Sequence, residues 1–289
     1  IMKKESDRWL LRETRPTNTQ KENAAMIFSE ARLQTVLQTL APQEKVQWEI
    51  FDNLPSTNLY LKELGRKGAS EGTVVLAASQ SAGRGRMGRS FYSPMGSGLY
   101  MSLLLRPKIQ VDMLPYLTPM TAVAVAHALE ALHSEPVQIK WVNDIYLRQK
   151  KVCGILVEGS LSGAPSKDFA VVGIGVNLYA PSEGFPPDIR EKAGAVFDAP
   201  AACAEDVAAH ILAAFFALYR ALPQRAFMEE YRARSFLTGK QVCMENGGQS
   251  IRGLVTGIDE EGRLLVLDEA GHCRTFSDGE ATVPSWERI

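Results

Sequence analysis

The chain has 289 residues, 45% hydrophobic and 22% charged, the balance of a globular protein with room for about two domains. Its 32 Lys and Arg set against 33 Asp and Glu leave a net charge of −1, which excludes the basic excess of a general nucleic-acid binder and the acidic excess of a solvated disordered chain. Four cysteines (Cys153, Cys203, Cys243 and Cys273) stand far apart with no CxxC pair, against a zinc ribbon or a disulfide framework and in favour of reduced thiols in a cytoplasm.

Residues 2–25 are polar and of mixed charge, without the apolar core of a signal peptide, and are expected to be a disordered lead. Ile1 precedes Met2, so the natural start is expected at Met26. Ser29 to Leu40 reads as a short amphipathic helix, with Leu33, Val36, Leu37 and Leu40 at helical spacing and Ala41-Pro42 ending it. Trp48 to Leu54 is extended. Ser56 is placed to cap a helix carrying Leu59, Leu61 and Leu64, with Gly65 and Gly68 as its stop. Thr73 to Ala78 and Leu99 to Leu105 are short apolar strands on either side of a Gly-, Arg- and Ser-rich stretch, 80–98.

Leu117 to Leu132 is apolar on most sides, the pattern of a buried helix. Strands are expected over Val137 to Trp141, Ile145 to Leu147, Val152 to Glu158 and Phe169 to Leu178, then helices over Ala204 to Leu222 and Arg225 to Arg234. No apolar run reaches the roughly 18 residues of a membrane span; the candidate around Ala201 to Leu222 is broken by Glu205, Asp206, His210 and Arg220. Beyond Gly239, short strands separated by Asn246-Gly247-Gly248, Ala270-Gly271 and Asp278-Gly279 predict a small β-barrel. The division expected is a lead with a short helix over 1–47, a mixed α/β domain over 48–238, and the barrel over 239–289.

Gly83-Arg84-Gly85-Arg86-Met87-Gly88 matches G-x-G-x-x-G, but the following Arg89-Ser90-Phe91-Tyr92-Ser93-Pro94 cannot open a helix, so a dinucleotide fold is rejected. No Gly-Lys-Ser/Thr follows, so a Walker loop is rejected too. Arg84, Arg86 and Arg89 are left on a loop whose ordering costs about 1–2 kcal/mol per residue in backbone entropy, with Met87 as its apolar anchor. Charge-assisted hydrogen bonds to an anion return about 1.5–3 kcal/mol each. The loop is therefore expected to be mobile when empty and to fold over an anionic ligand, against the plainer reading of a solvated basic turn.

Lys140-Trp141-Val142-Asn143-Asp144 ends a strand at a turn, and Lys151 begins the next. Gly173 and Gly175 fall on one face of a strand, which suggests a ligand lying flat on the sheet, or a bulge. The four histidines show no metal spacing, and Cys153, inside an apolar run, reads as a core thiol.

Taken in order, Ser56-Thr57-Asn58, Gln80, the Gly83–Gly88 run, Lys140 to Asp144, Lys151 to Glu158 and Gly173 to Asn177 resemble the motifs of biotin–protein ligases, over roughly residues 48–289. The resemblance implies an α+β catalytic fold like that of class II synthetases, a mixed sheet with packed helices, followed by a C-terminal SH3-like β-barrel. It implies that biotin's carboxylate attacks the α-phosphate of ATP, and that a lysine of a biotin carboxyl carrier protein then attacks the biotinyl-5′-AMP. Mg²⁺ is expected on the phosphates.

By the same resemblance Ser56, Thr57 and Asn58 would hold biotin's ureido ring, and Gln80, Arg84, Gly85 and Arg86 would line the biotin and anhydride region. Lys151 would contact the biotinyl carbonyl or α-phosphate. Arg89 would reach phosphate, Phe91 would lie against adenine, and Asn177 would read the adenine edge. Gly154, Gly173 and Gly175 would let biotin approach the backbone, and Asp144 would position the incoming lysine or the metal. Two departures stand out: Val142 where the family has Pro, and Phe91 where Trp is frequent.

Some members carry an N-terminal DNA-reading unit and act as repressors. The segment before Trp48 is too short for one here and has no basic recognition helix, so a ligase without repressor activity is expected, with no DNA or membrane partner and with a homodimer left open. The alternatives are a lipoate–protein ligase or octanoyltransferase on the same fold, a biotin-sensing repressor, and a silent nucleotide-binding module.

Overall fold

The structure, a computed structural model, describes residues 28–106, 111–160, 168–199, 203–246 and 248–284. The polar lead and Met26 lie outside these residues.

The first layer is a seven-stranded sheet built from β1 (Gln47–Leu54), β2 (Thr73–Gln80), β3 (Gly98–Leu105), β4 (Gln138–Lys140), β5 (Asp144–Leu147), β6 (Lys150–Ser160) and β7 (Phe169–Asn177). Its order is β1-β2-β3-β7-β6-β5-β4. β1 and β2 run parallel, and each further neighbour is antiparallel. All eight residues of β3 are buried, because the central strands are covered on both faces.

One face packs against α3 (Leu117–Leu132) and α4 (Ala204–Arg220), with α1 (Glu30–Leu40) laid on α4. Leu33 and Leu37 of α1 are buried, but Leu40 stays 41% exposed, so the apolar face is narrower than its sequence period suggests. Ser29 caps α1 through Arg32 N, and its own N–H donates to Glu205 Oε1 at 2.9 Å. The other face packs against α2 (Thr57–Arg66) through Leu54, Tyr60, Leu61, Val75, Ala77, Leu104, Phe169 and Val171. Gly65 does not stop α2. It lies inside the helix, where a Cβ would stand 2.8 Å from the Phe169 ring, and Gly68 (φ +92°) follows the end.

A second, antiparallel sheet contains β8 (Gln241–Asn246), β9 (Gln249–Ile258), β10 (Leu264–Asp268), β11 (Cys273–Phe276) and β12 (Glu280–Thr282), in the order β11-β10-β9-β8-β12. Its buried Val242, Met244, Val255, Leu264 and Val266 continue the main core. The short α5 (Phe227–Ala233) precedes this sheet in the chain and packs against α3. From α5, Tyr231 Oη donates to Val142 O at 2.9 Å, and Trp141 Nε1 donates to Gly262 O at 2.9 Å. The turn between β4 and β5 is thereby held from two sides, and its Trp141–Val142 peptide is cis.

Candidate active site

One cavity opens over the β6–β7 face, bounded by the start of α2, the 84–91 loop, the β4–β5 turn and the 279–281 edge of β12.

Its floor is polar and already bonded. Ser56 is extended and caps α2, its Oγ accepting from Leu59 N at 3.4 Å. The Thr57 amide and hydroxyl both donate to Gln80 Oε1, at 2.9 and 3.2 Å, and Gln80 Nε2 donates to Ser93 Oγ at 2.9 Å. Ser102 Oγ, fully buried on β3, lies 2.7 Å from Thr57 Oγ1 and 2.6 Å from Asn58 Oδ1. Asn58 Nδ2 donates to Leu156 O at 3.2 Å and to Glu158 Oε2 at 3.0 Å. Glu158 also takes Lys62 Nζ at 2.8 Å. Burial works to raise the Glu158 carboxyl, but the hydrogen bonds from Lys62 and Asn58 outweigh it and hold it below the usual range, so it stays ionised.

The glycines of β6 and β7 serve this floor in a way their spacing does not reveal. A Cβ on Gly173 would collide with the Asn58 side chain. One on Gly175 would stand 2.6 Å from the Phe91 ring, and one on Gly154 3.2 Å from that ring and 3.4 Å from Lys151 Nζ. The side chain of Asn58 lies next to Gly173 and the ring of Phe91 next to Gly175 and Gly154, and all three glycines face the cavity. Phe91 also meets Tyr100 edge to face at 6.4 Å.

At the far side the β5–β6 pairing shifts register between Ile145 and Tyr146, and Lys151 comes beside Asp144. Lys151 Nζ lies 2.7 Å from Asp144 Oδ1, and this ion pair gives the carboxylate oxygen its partner in the cavity wall. The Lys151 backbone is clamped by Lys192 O and Gly194 N, at 2.7 and 2.9 Å. Lys140, across from Asp144 in the β4–β5 register, is the least comfortable cation. Burial pushes its ammonium down to about 8; Asp144 opposes this, and the charges of Lys151, Lys192 and Arg89 add to it.

The loop forms a 3₁₀ turn over Arg86–Gly88, and no helix follows it, in keeping with the rejection of a dinucleotide fold. It closes on itself through Gly85 N to Arg89 O at 2.8 Å and Phe91 N to Gly83 O at 2.9 Å. Each arginine finds an acceptor: Arg84 lies 3.8 Å from Glu158, Arg86 Nη1 donates to Asn143 Oδ1 at 3.3 Å, and Arg89 forms a two-point pair with Glu280. All three acceptors come from outside the loop. Met87 is not an anchor, being 67% exposed.

Ser56, Thr57, Asn58, Gln80, Arg84, Gly85, Arg86, Arg89, Phe91, Asp144, Lys151, Gly154, Gly173 and Gly175 all line this cavity. Asn177 does not: its Nδ2 donates to Gly194 O at 3.0 Å, so its amide is spent on the segment that clamps Lys151. Sequence reasoning missed Ser102, Lys140, Glu158 and Glu280 as site residues. A signal existed for Ser102, the one polar side chain in the apolar run Leu99 to Leu105, whereas Glu280 is brought in only by the second sheet. Among the described residues no group of three or more His, Cys, Asp or Glu is placed to hold a metal, and no helix is long and apolar enough to cross a membrane. Cys153 is buried, which pushes its thiol up and leaves it a core residue.

Residues 50–177 match the model of the biotin/lipoate A/B protein ligase family, and residues 237–282 match the biotin protein ligase C-terminal domain. A biotin–[acetyl-CoA-carboxylase] ligase of Paracoccus denitrificans is 34% identical over 231 residues, 75% of this chain and 92% of the relative. The bifunctional ligase/repressor BirA of Bacillus spizizenii is 36% identical over 234 residues, 78% of this chain and 71% of the relative. The structure of a biotin protein ligase from Aquifex aeolicus in complex with biotin and ATP superposes with a TM-score of 0.70 at 28% identity, covering 82% of this chain and 98% of that one.

A mixed sheet flanked by helices, a polar floor and a basic rim define a ligase of the biotin and lipoate class. Within it, the second sheet and these relatives are decisive: the chain belongs to the biotin–protein ligase family.

Proposed function

We propose that this protein joins biotin to ATP, releasing pyrophosphate and forming biotinyl-5′-AMP, and then transfers the biotinyl group to a lysine of a biotin carboxyl carrier protein. The observation that carries this is a cavity in which a polar, internally bonded floor faces the Lys151–Asp144 pair and a rim of Lys140, Arg86 and Arg89.

The chemistry asks for that division. A carboxylate must approach a phosphate, and two unit charges 4 Å apart repel by about 4 kcal/mol at an effective dielectric near 20. Lys151 is fixed at both its backbone groups and brings a positive charge to the point where the two anions meet. Arg86, caught by Asn143, holds the loop across the cavity and limits water reaching the acyl-adenylate. Ser56, Thr57, Asn58 and Gln80 offer donors and acceptors for a neutral ureido ring, and Arg84 and Gly85 border it. Arg89 is the phosphate contact at the mouth. Phe91, pressed on Gly175 and Gly154, supports a flat ring from the side, and Asn177 acts through the clamp on Lys151.

Magnesium is proposed with the nucleotide. Such an ion is usually held by one or two carboxylates together with phosphates, and the Asp144 carboxylate, which lines the cavity beside Lys151, suits one of those places. It would supply charge neutralisation on the phosphates. We place the protein in the cytoplasm on its free cysteines among the described residues, and without general nucleic-acid binding on its near-zero net charge. Incubation with ATP, Mg²⁺, biotin and a carrier domain, read by streptavidin blot and intact mass, is expected to give a biotinylated carrier. An unmodified carrier, or a salt-sensitive shift of operator DNA, would contradict the corresponding part.

A further inference from the structure

Glu280 is the place where the second sheet enters the cavity. It opens β12, and with Gly279 and Ala281 it forms part of the cavity wall. Arg89 Nη1 donates to Glu280 Oε1 at 2.7 Å and Nη2 to Oε2, so both oxygens fill the guanidinium fork across 191 residues of chain. A phosphate occupies an arginine in this same two-point manner. Neither partner is locked by burial: the Arg89 side chain is 59% exposed and that of Glu280 30%.

The surroundings favour exchange. Arg89 lies close enough to Lys140 to disturb its ionisation, and Lys151 and Lys192 do the same. Of these cations Lys140, Lys151 and Arg89 line the cavity, where Asp144 faces Lys151 and Glu280 faces Arg89. A carboxylate brings a single negative charge to that cluster, whereas a polyphosphate brings several and reaches more than one cation at once.

We propose that Glu280 is a positioning residue for Arg89: it fills the guanidinium fork while the cavity is empty, keeps the loop docked on the second sheet, and is displaced by the polyphosphate of the nucleotide. The inference rests on the cavity being a nucleotide site. Glu280 then does two things that can be measured separately. It competes with ATP, and it holds the empty loop in place.

The test uses the full chain with Glu280→Gln, alone and with Arg89→Ala. Glu245→Gln is the control, since that exposed carboxylate stands opposite Glu280 on β8 and makes no contact of this kind with Arg89. In steady-state pyrophosphate release, Glu280→Gln is expected to lower the KM for ATP about two- to five-fold, the range an exposed ion pair allows. Its kcat and the KM for biotin stay unchanged. Glu245→Gln leaves the KM for ATP where it was, and in the Arg89→Ala background Glu280→Gln changes nothing further. Without ligand, Glu280→Gln is cleaved faster in the 84–91 loop by a limiting protease.

An unchanged or raised KM for ATP in Glu280→Gln, an equal fall in Glu245→Gln, or an equal fall without Arg89 would overturn the proposal. Should the unaltered chain release no pyrophosphate at all, the reading of the site as a ligase fails instead. The loop cleavage still decides whether Glu280 holds Arg89, and unchanged cleavage in Glu280→Gln counts against it.

Discussion

The floor and the rim of the cavity are built on opposite terms. Thr57, Asn58 and Ser102 on the floor are nearly or wholly buried and bonded to one another, and Asn58 is tied to ionised Glu158. The arginines of the rim are partly exposed, and each meets its acceptor on a distant segment. Buried polar groups are costly to disturb, so the floor is fixed before any ligand arrives. Exposed cations with one partner are cheap to move, so the rim is free to exchange that partner for a substrate anion. Shape and hydrogen-bond selection belong to the floor, and charge handling to the rim.

The largest effect is expected at Lys151, where the two meet. Lys151→Ala should lower kcat for pyrophosphate release by about 100-fold or more, the scale of losing one preorganised charge stabiliser. The melting transition is expected to persist, since the side chain is partly exposed. Release at the original rate would remove Lys151 from the chemistry.

Ser102→Ala attacks the floor alone. It strips a donor from the Thr57–Asn58 pair and should cost about 1–3 kcal/mol of stability by denaturant unfolding. The KM for biotin is expected to rise while that for ATP holds. An equal rise in both would dissolve the distinction between floor and rim.

Lys140 gives the rim a pH signature. Its ammonium loses its proton near 8 when buried, whereas the unfolded chain keeps it to about 10.5. Between those values the unfolded chain binds more protons, so folding stability rises with pH, while the cavity loses a positive charge. The KM for ATP should therefore climb as pH passes from 7 to 9, and Lys140→Gln should flatten that climb. A profile unaltered by the substitution would free Lys140 of any part in nucleotide binding.

Arg86→Ala is expected to have the smallest effect on stability, within about 0.5 kcal/mol, as for an ordinary surface change. Its consequence is faster escape of biotinyl-5′-AMP, followed by trapping the free adenylate. Unchanged escape would mean that the Asn143 contact does not hold the loop shut.

The same contrast explains what the sequence made legible. Local signals were sufficient for the elements: the cap at Ser56, the apolar runs of β2 and β3, and the glycine-punctuated strands of the second sheet were visible along the chain. The rim was visible as a motif because its arginines are clustered in sequence. Their partners were not, since Glu158, Asn143 and Glu280 arrive from β6, the β4–β5 turn and β12. Gly173 and Gly175 announced a close approach without naming the neighbour, which is Asn58 at one and Phe91 at the other. The role of Asn177 came from the resemblance alone, and the partner of its Nδ2, Gly194 O, is given only by the tertiary structure.

On the proposed reading, floor and rim together condense an acid with a nucleotide. The direct measurement is pyrophosphate release by the purified protein with ATP and Mg²⁺, with and without biotin, followed by mass analysis of the protein-bound product. Release is expected only when biotin is present, with biotinyl-5′-AMP retained on the protein until a carrier lysine is added. Release that is indifferent to biotin, or a cavity that binds both molecules and yields no adenylate, would contradict it.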